Sequence, residues 1–231
     1  MKRIGILGGI SHESTIAYYA LLLRKHFARS HNYYYPEIVI FSLDFQKFTD
    51  FEDRGDRVNY LRYIMEGVRA LEAAGVDFIL MAANSPHAVF DAVAAQAKAP
   101  MLSIVEVTAQ AALQAGARKL LLLGIKFTMQ STFYQTTFAK VGLDVITPTE
   151  TEQDEINQII FAELVIGHFT EQSKQWLLAL IQQYAVSHNI DAVILGCTEL
   201  PLLLKPSDSV LLLLDTLDLH ADAALNYATS S

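Results

Sequence analysis

Short, nearly uninterrupted aliphatic runs alternate with longer amphipathic stretches along the whole chain, and no other feature constrains the fold as much. A strand covered on both faces needs apolar side chains at successive positions, whereas a strand with one wet face alternates polar and apolar. The runs at 3–7, 37–43, 78–82, 101–104, 119–123, 143–146, 192–195 and 211–214 therefore read as buried strands. Helical spacing and length fall between them, at 14–27, 57–74, 86–97, 106–115, 130–141, 152–165, 171–188 and 217–228. Gly75 and Gly116 stand where helices should stop, and Pro100 and Pro206 mark breaks. Strand, helix and strand in this order predict βαβ units around mainly parallel sheets, an α/β fold.

Composition narrows the class. With 231 residues, 52% of them hydrophobic and 18% charged, the chain can bury one large core or two small ones. A net charge of −8 does not suit a phosphate backbone, so nucleic acid is not an expected partner. No apolar run approaches the roughly 18 residues of a membrane span, and the apolar start at 4–10 is short and holds three glycines. A cytoplasmic protein that touches no membrane is expected. The single cysteine, Cys197, cannot form an internal disulfide or a cysteine-based zinc site, and the seven histidines lack metal-ligand spacing, so no metal is expected.

The chain also repeats itself weakly. Ile4-Gly5-Ile6-Leu7-Gly8 resembles Leu120-Leu121-Leu122-Leu123-Gly124, and Phe78 to Asn84 resembles Ala192 to Thr198, both at a spacing of about 115 residues. One such pair is what buried strands produce by chance. Two pairs at nearly equal spacing predict two similar α/β halves, with boundaries at 1–104 plus a returning 212–231, and at 105–211. Ligand chemistry is then expected at the carboxyl ends of the strands.

Four strand ends carry small or polar residues: Gly8-Gly9-Ile10-Ser11 with Ser14-Thr15, Ala83-Asn84-Ser85-Pro86-His87, Gly124 to Thr128, and Gly196-Cys197-Thr198-Glu199. Glycines admit a close ligand, and hydroxyl, amide and backbone N–H groups can hold a small carboxylate. Each end taken singly also looks like an ordinary cap or turn. Neither a dinucleotide fingerprint nor a phosphate loop is present. His12 and His87 lie beside these loops, as acid, base or plain loop residues. Cys197 lies just before an expected helix start, which would lower its pKa and make a thiolate available.

Taken together, these motifs, with Phe133-Tyr134, Ile156-Asn157 and Glu163-Leu164, resemble the aspartate/glutamate racemase family from about residue 2 to 228. The resemblance implies two Rossmann-like domains facing across a central cleft, a homodimer, and inversion of a small acidic amino acid with no cofactor, pyridoxal phosphate included. In such enzymes one group removes the α-proton and another returns a proton to the opposite face. Cys197 matches one of them. Asn84, Ser85, Thr128 and Thr198 match carboxylate and amino-group binders, Ser11 helps position the substrate, and Ser14 and Thr15 cap the first helix. The position matching the other acid/base is Ala83, whose methyl carries no exchangeable proton; Ile10 replaces a common methionine. Three readings follow: a racemase in which His87, Ser85 or a water serves the far face, a single-cysteine enzyme such as a decarboxylase, or a binding module that has lost turnover. For the substrate's distal carboxylate the candidates are Lys126, Arg54 and Arg57.

Overall fold

The computed structural model describes residues 1–230. They form two compact units: Met1–Ile104 together with the chain from Leu217 onward, and Val105–Thr216. Each unit is built on its own four-stranded parallel sheet.

In the first unit the strands are β1 (Ile4–Gly8), β2 (Ile38–Ser42), β3 (Phe78–Met81) and β4 (Met101–Leu102), in the order β2-β1-β3-β4. Side chains alternate across the pleat, so each strand feeds two cores. Ile4, Ile6, Phe78 and Leu80 point to one face, covered by Tyr18 and Leu22 of α1 (His12–Ser30) and by Leu217, Ala221 and Leu225 of α11 (Thr216–Thr229). Leu7, Ile79, Met81 and Ala83 point to the other. Phe48 of α2 (Phe45–Asp53) and Tyr60, Ile64 and Val68 of α3 (Arg57–Ala73) cover that face. A 3-10 turn at Ser85–Val89 and α4 (Phe90–Ala94) follow β3.

The second unit repeats the pattern. Its strands are β5 (Lys119–Leu123), β6 (Asp144–Ile146), β7 (Ala192–Leu195) and β8 (Leu212–Asp215), ordered β6-β5-β7-β8. Its helices are α5 (Ile104–Gln114), α6 (Lys126–Gln130), α7 (Phe133–Ala139), α8 (Glu150–Ala162), α9 (Glu171–His188) and α10 (Leu200–Leu203).

Three expectations are corrected. The strand at the chain end does not return to the first unit: β8 pairs with β7 from Ala192↔Leu212 to Leu195↔Asp215, and only α11 crosses back. The boundary therefore lies after residue 216, not 211. The expected helix at 130–141 is two helices, because Ser131 is extended, and the one at 86–97 opens as a 3-10 turn on Pro86. Helix α2 was not expected at all.

Candidate functional site

The end of β7 is tight. Gly196 N–H donates to Leu123 O at 2.6 Å, and a Cβ on Gly124 would stand 2.9 Å from the Gly196 oxygen, so these strand ends approach too closely for side chains. The γ-methyl of Thr128 on α6 lies against both glycines. Its hydroxyl is buried and has no hydrogen-bond partner among the described residues. The chain next presents Cys197, Thr198 and Glu199, all buried. The Cys197 thiol donates to Glu199 Oε2 at 2.9 Å, and the Thr198 hydroxyl donates to the same oxygen at 3.1 Å. Burial pushes the thiol pKa well up, and the Glu199 carboxylate adds to the rise, while the backbone N–H groups of Glu199 and Leu200 pull less strongly the other way. The expected thiolate is thus corrected to a resting thiol. Helix α10, with 4 residues, is too short for its dipole to overcome burial.

In the first unit Ser11 caps α1. Its Oγ accepts from Ser14 N–H, while Thr15 receives Gly9 N–H and donates to Ser11 O, both at 2.8 Å. Thr15 braces the glycine loop rather than capping the helix itself; a Cβ on Gly9 would come within 2.4 Å of the Leu43 backbone.

The end of β3 is the counterpart of the end of β7. Leu7 pairs with Met81 as Leu123 pairs with Leu195, and Ala83 and Cys197 each stand two residues beyond. After Ala83 come Asn84, Ser85 and His87, all buried. His87 Nε2 accepts from Ile104 N–H at 3.2 Å, so Nδ1 carries the proton and donates to Ala83 O at 3.1 Å. Burial and the neighbouring His220 hold its pKa down at about 3, against the weaker upward pull of the hydrogen bond to Ala83 O. Both nitrogens are engaged, which makes His87 a brace for the turn and removes the basis for giving it an auxiliary proton-transfer role. Ser85 instead hydrogen-bonds the carboxyl of Glu52, which also accepts from Tyr60 Oη at 2.7 Å. Burial raises the Glu52 pKa to about 7, against the pull of those two hydroxyls.

The sequence profile of the Asp/Glu/hydantoin racemases matches residues 7–224. The chain belongs to this family. Broad specificity amino-acid racemase RacX of Bacillus subtilis is 29% identical over 216 residues, 92% of each chain. Among solved structures, an aspartate racemase homologue from Pyrococcus horikoshii is 39% identical with a TM-score of 0.88, and a putative Asp/Glu racemase from Yersinia pestis is 32% identical with a TM-score of 0.91; each match covers 100% of both chains. Family membership makes the chain an isomerase of the amino-acid racemase type.

Within this racemase the three cations considered for a distal carboxylate differ. Arg54 pairs with Asp50 at 3.2 Å and Lys126 with Asp154 at 2.5 Å, both near the surface, and Arg57 is an exposed residue of the first turn of α3. Sequence reasoning passed over Glu52, Tyr60 and the role of Glu199. For Glu199 the signal was its place two residues after the thiol. Glu52 and Tyr60 had none, since they meet only once α2 folds against α3.

Proposed function

We propose that the protein inverts an acidic amino acid of the aspartate or glutamate type without pyridoxal phosphate, with Cys197 as one acid/base. The observation that carries this reading is the hydrogen bond from the Cys197 thiol to Glu199 at the end of β7. Glu199 can take the thiol proton, leaving a thiolate to remove the substrate's α-proton; in the reverse direction the thiol returns it. The electron pair left on the α-carbon spreads into the substrate carboxylate, and a pocket of hydroxyl and N–H donors stabilises that charge. The unpartnered Thr128 hydroxyl suits such a role in the second unit. An acidic substrate is supported by the name of the aspartate racemase homologue from Pyrococcus horikoshii.

The protein is tested with L-aspartate and L-glutamate in deuterated water, following the α-proton by NMR and the enantiomers by chiral chromatography. Deuterium uptake and the D-form are expected, with both lowered about 1,000-fold in Cys197→Ser, within the span of a lost general acid/base. Undiminished turnover in that variant would remove Cys197 from the chemistry. The methyl of Ala83 favours a second reading, chemistry on one face only. Exchange with retained configuration, or carbon dioxide release from a substituted malonate, would establish it instead.

A further inference from the structure

Parallel strands are ordinarily covered, yet β2, at the edge of the first sheet, leaves Ile40 and Phe41 exposed. Its ladder to β1 shows which backbone groups are already used. Ile4 N–H donates to Glu37 O and Leu43 N–H donates to Gly8 O, both at 2.9 Å, so in the register Ile4↔Ile38 to Gly8↔Ser42 the odd-numbered residues of β2 bond inward. The N–H and C=O groups of Ile38, Ile40 and Ser42 therefore point out of the sheet. Natural edges are blunted by brevity, charge or proline. Among the described residues, β4 has 2 residues, β6 opens on Asp144 and β8 ends on Asp215, whereas β2 has 5 residues with neither a charge nor a proline. The helix beside this edge is matched to it. His220 of α11 reaches Leu102 O of β4, Lys25 and Arg29 of α1 pair with Asp222 of α11, and Ile38 packs against the cluster of Tyr18 and Leu22, so α11 covers β3 and β4 while α1 covers β1 and β2. The outer face of α1 carries Ile16, Tyr19 and Phe27, all exposed, and Tyr33, Tyr34 and Tyr35 lead into β2. At about 200 Å² for a fully exposed large side chain, these residues with Ile40 and Phe41 present roughly 800 Å², the area that one partner of an ordinary interface buries.

We propose that the free edge of β2 and the outer face of α1 together bind a second copy of this chain, across a two-fold axis that passes through Ile40 perpendicular to the sheet. Antiparallel pairing then sets Ile40 opposite its own copy and Ile38 opposite Ser42 on either side, each pair exchanging two N–H···O bonds, and the outward-pointing groups are the ones this register uses. Two four-stranded sheets become one continuous sheet. With α1 lying over β1 and β2, the two α1 helices stand two strand spacings apart, about 10 Å, which is a helix-packing distance. They run antiparallel. The first turn of each, with Glu13, lies toward the last turn of the other, with Arg29, so opposite charges and opposite ends of the helix dipoles come together. A foreign strand could use the same backbone groups but would leave the face of α1 bare. A second copy covers both, and the two-fold closes the contact at a dimer.

The test is sedimentation of the full chain over about 0.1–100 μM, where the wild type is expected to run at twice the chain mass with a Kd of about 1 μM or lower. Ile40→Pro removes an N–H that β1 does not use, so the sheet keeps its ladder while the pairing loses its centre, and Kd is expected to rise about 100-fold or more. Tyr19→Glu places a carboxylate from each copy on the shared helix face and is expected to weaken the dimer about ten-fold. Circular dichroism reports whether each variant is folded. Ile40→Cys is expected to give a disulfide-linked dimer under mild oxidation, because residues paired across the axis have Cα atoms about 5.5 Å apart, within disulfide reach. The native thiol, Cys197, is buried and does not compete. Should Ile40→Pro fail to fold, the cross-link and Tyr19→Glu decide alone. A wild type that stays monomeric throughout overturns the proposal and leaves the edge to a strand of another protein. A dimer that neither weakens in the folded variants nor cross-links through Ile40→Cys overturns it by placing the contact elsewhere.

Discussion

Two residues of one chemical kind, Glu52 and Glu199, show how their surroundings assign different work. Glu199 receives two donors from its own neighbours, Cys197 and Thr198, so its place is fixed by sequence adjacency. Glu52 receives its donors from α3 and from the turn after β3, and burial outweighs them. A carboxyl whose folded pKa, about 7, lies above its unfolded value of 4.5 binds more protons folded than unfolded between those values. Its contribution to stability is therefore complete below pH 4.5 and disappears as pH rises through 7. Allowing for solvent screening of a partly exposed group, the loss between pH 5 and 8 is roughly 1–2 kcal/mol. Glutamine keeps the shape and cannot titrate. Urea unfolding at pH 5 and pH 8 is expected to show Glu52→Gln gaining on the wild type by that amount as pH rises. A constant difference between the two proteins would mean that Glu52 ionises at its ordinary pH.

Among the elements, two buried histidines tie parts of the first unit together. His220 of α11 accepts from Tyr18 Oη at Nδ1, 2.9 Å, and donates from Nε2 to Leu102 O, 3.2 Å, while His87 ties Ala83 to Ile104. Both imidazoles are fully buried and neutral, with pKa values held down at about 3 for His87 and about 4 for His220, chiefly by burial. The sign here is opposite to that of Glu52. The unfolded chain binds these protons first, so the stabilisation is present above pH 6.5 and is lost as pH falls toward 4. Between pH 7.5 and 5 each histidine is expected to account for roughly 2 kcal/mol of lost stability. His220→Gln should start lower at neutral pH and fall less steeply in acid; parallel falls in chemical denaturation would show that His220 titrates outside this range. Such elements differ in how far the sequence discloses them. The aliphatic runs of β5 and β7 coincide with the strands, because a strand buried on both faces has no other way to be written. Helix α2 escaped because it buries a single side chain, Phe48; its Asp44 N-cap and the turn at Gly55 were the only local signs. The Cys197 loop was legible as a motif, but its charge state was not, since that depends on burial.

The whole chain is a pattern written twice. The orders β2-β1-β3-β4 and β6-β5-β7-β8 are the same topology, and the register that equates Ala83 with Cys197 follows from it, so a weak repeat of two aliphatic segments carried the architecture and its one chemical asymmetry. Where the second unit ends was not legible, because an aliphatic run does not say which sheet it joins: β8 closes the second sheet, and α11 alone completes the first unit. The first unit is thus assembled from both ends of the chain, and Leu225, 1% exposed among Ile4, Phe78, Leu80 and Leu217, helps hold them together. Leu225→Ala removes three methyl or methylene equivalents from a closed core and should cost about 2–5 kcal/mol. If that core belongs to the first unit alone, native-state hydrogen exchange will show amides of β1 and β3 losing protection while those of β5 and β7 keep theirs. Equal loss in β5 and β7 would instead make the two sheets one cooperative unit, despite a chain that divides their cores.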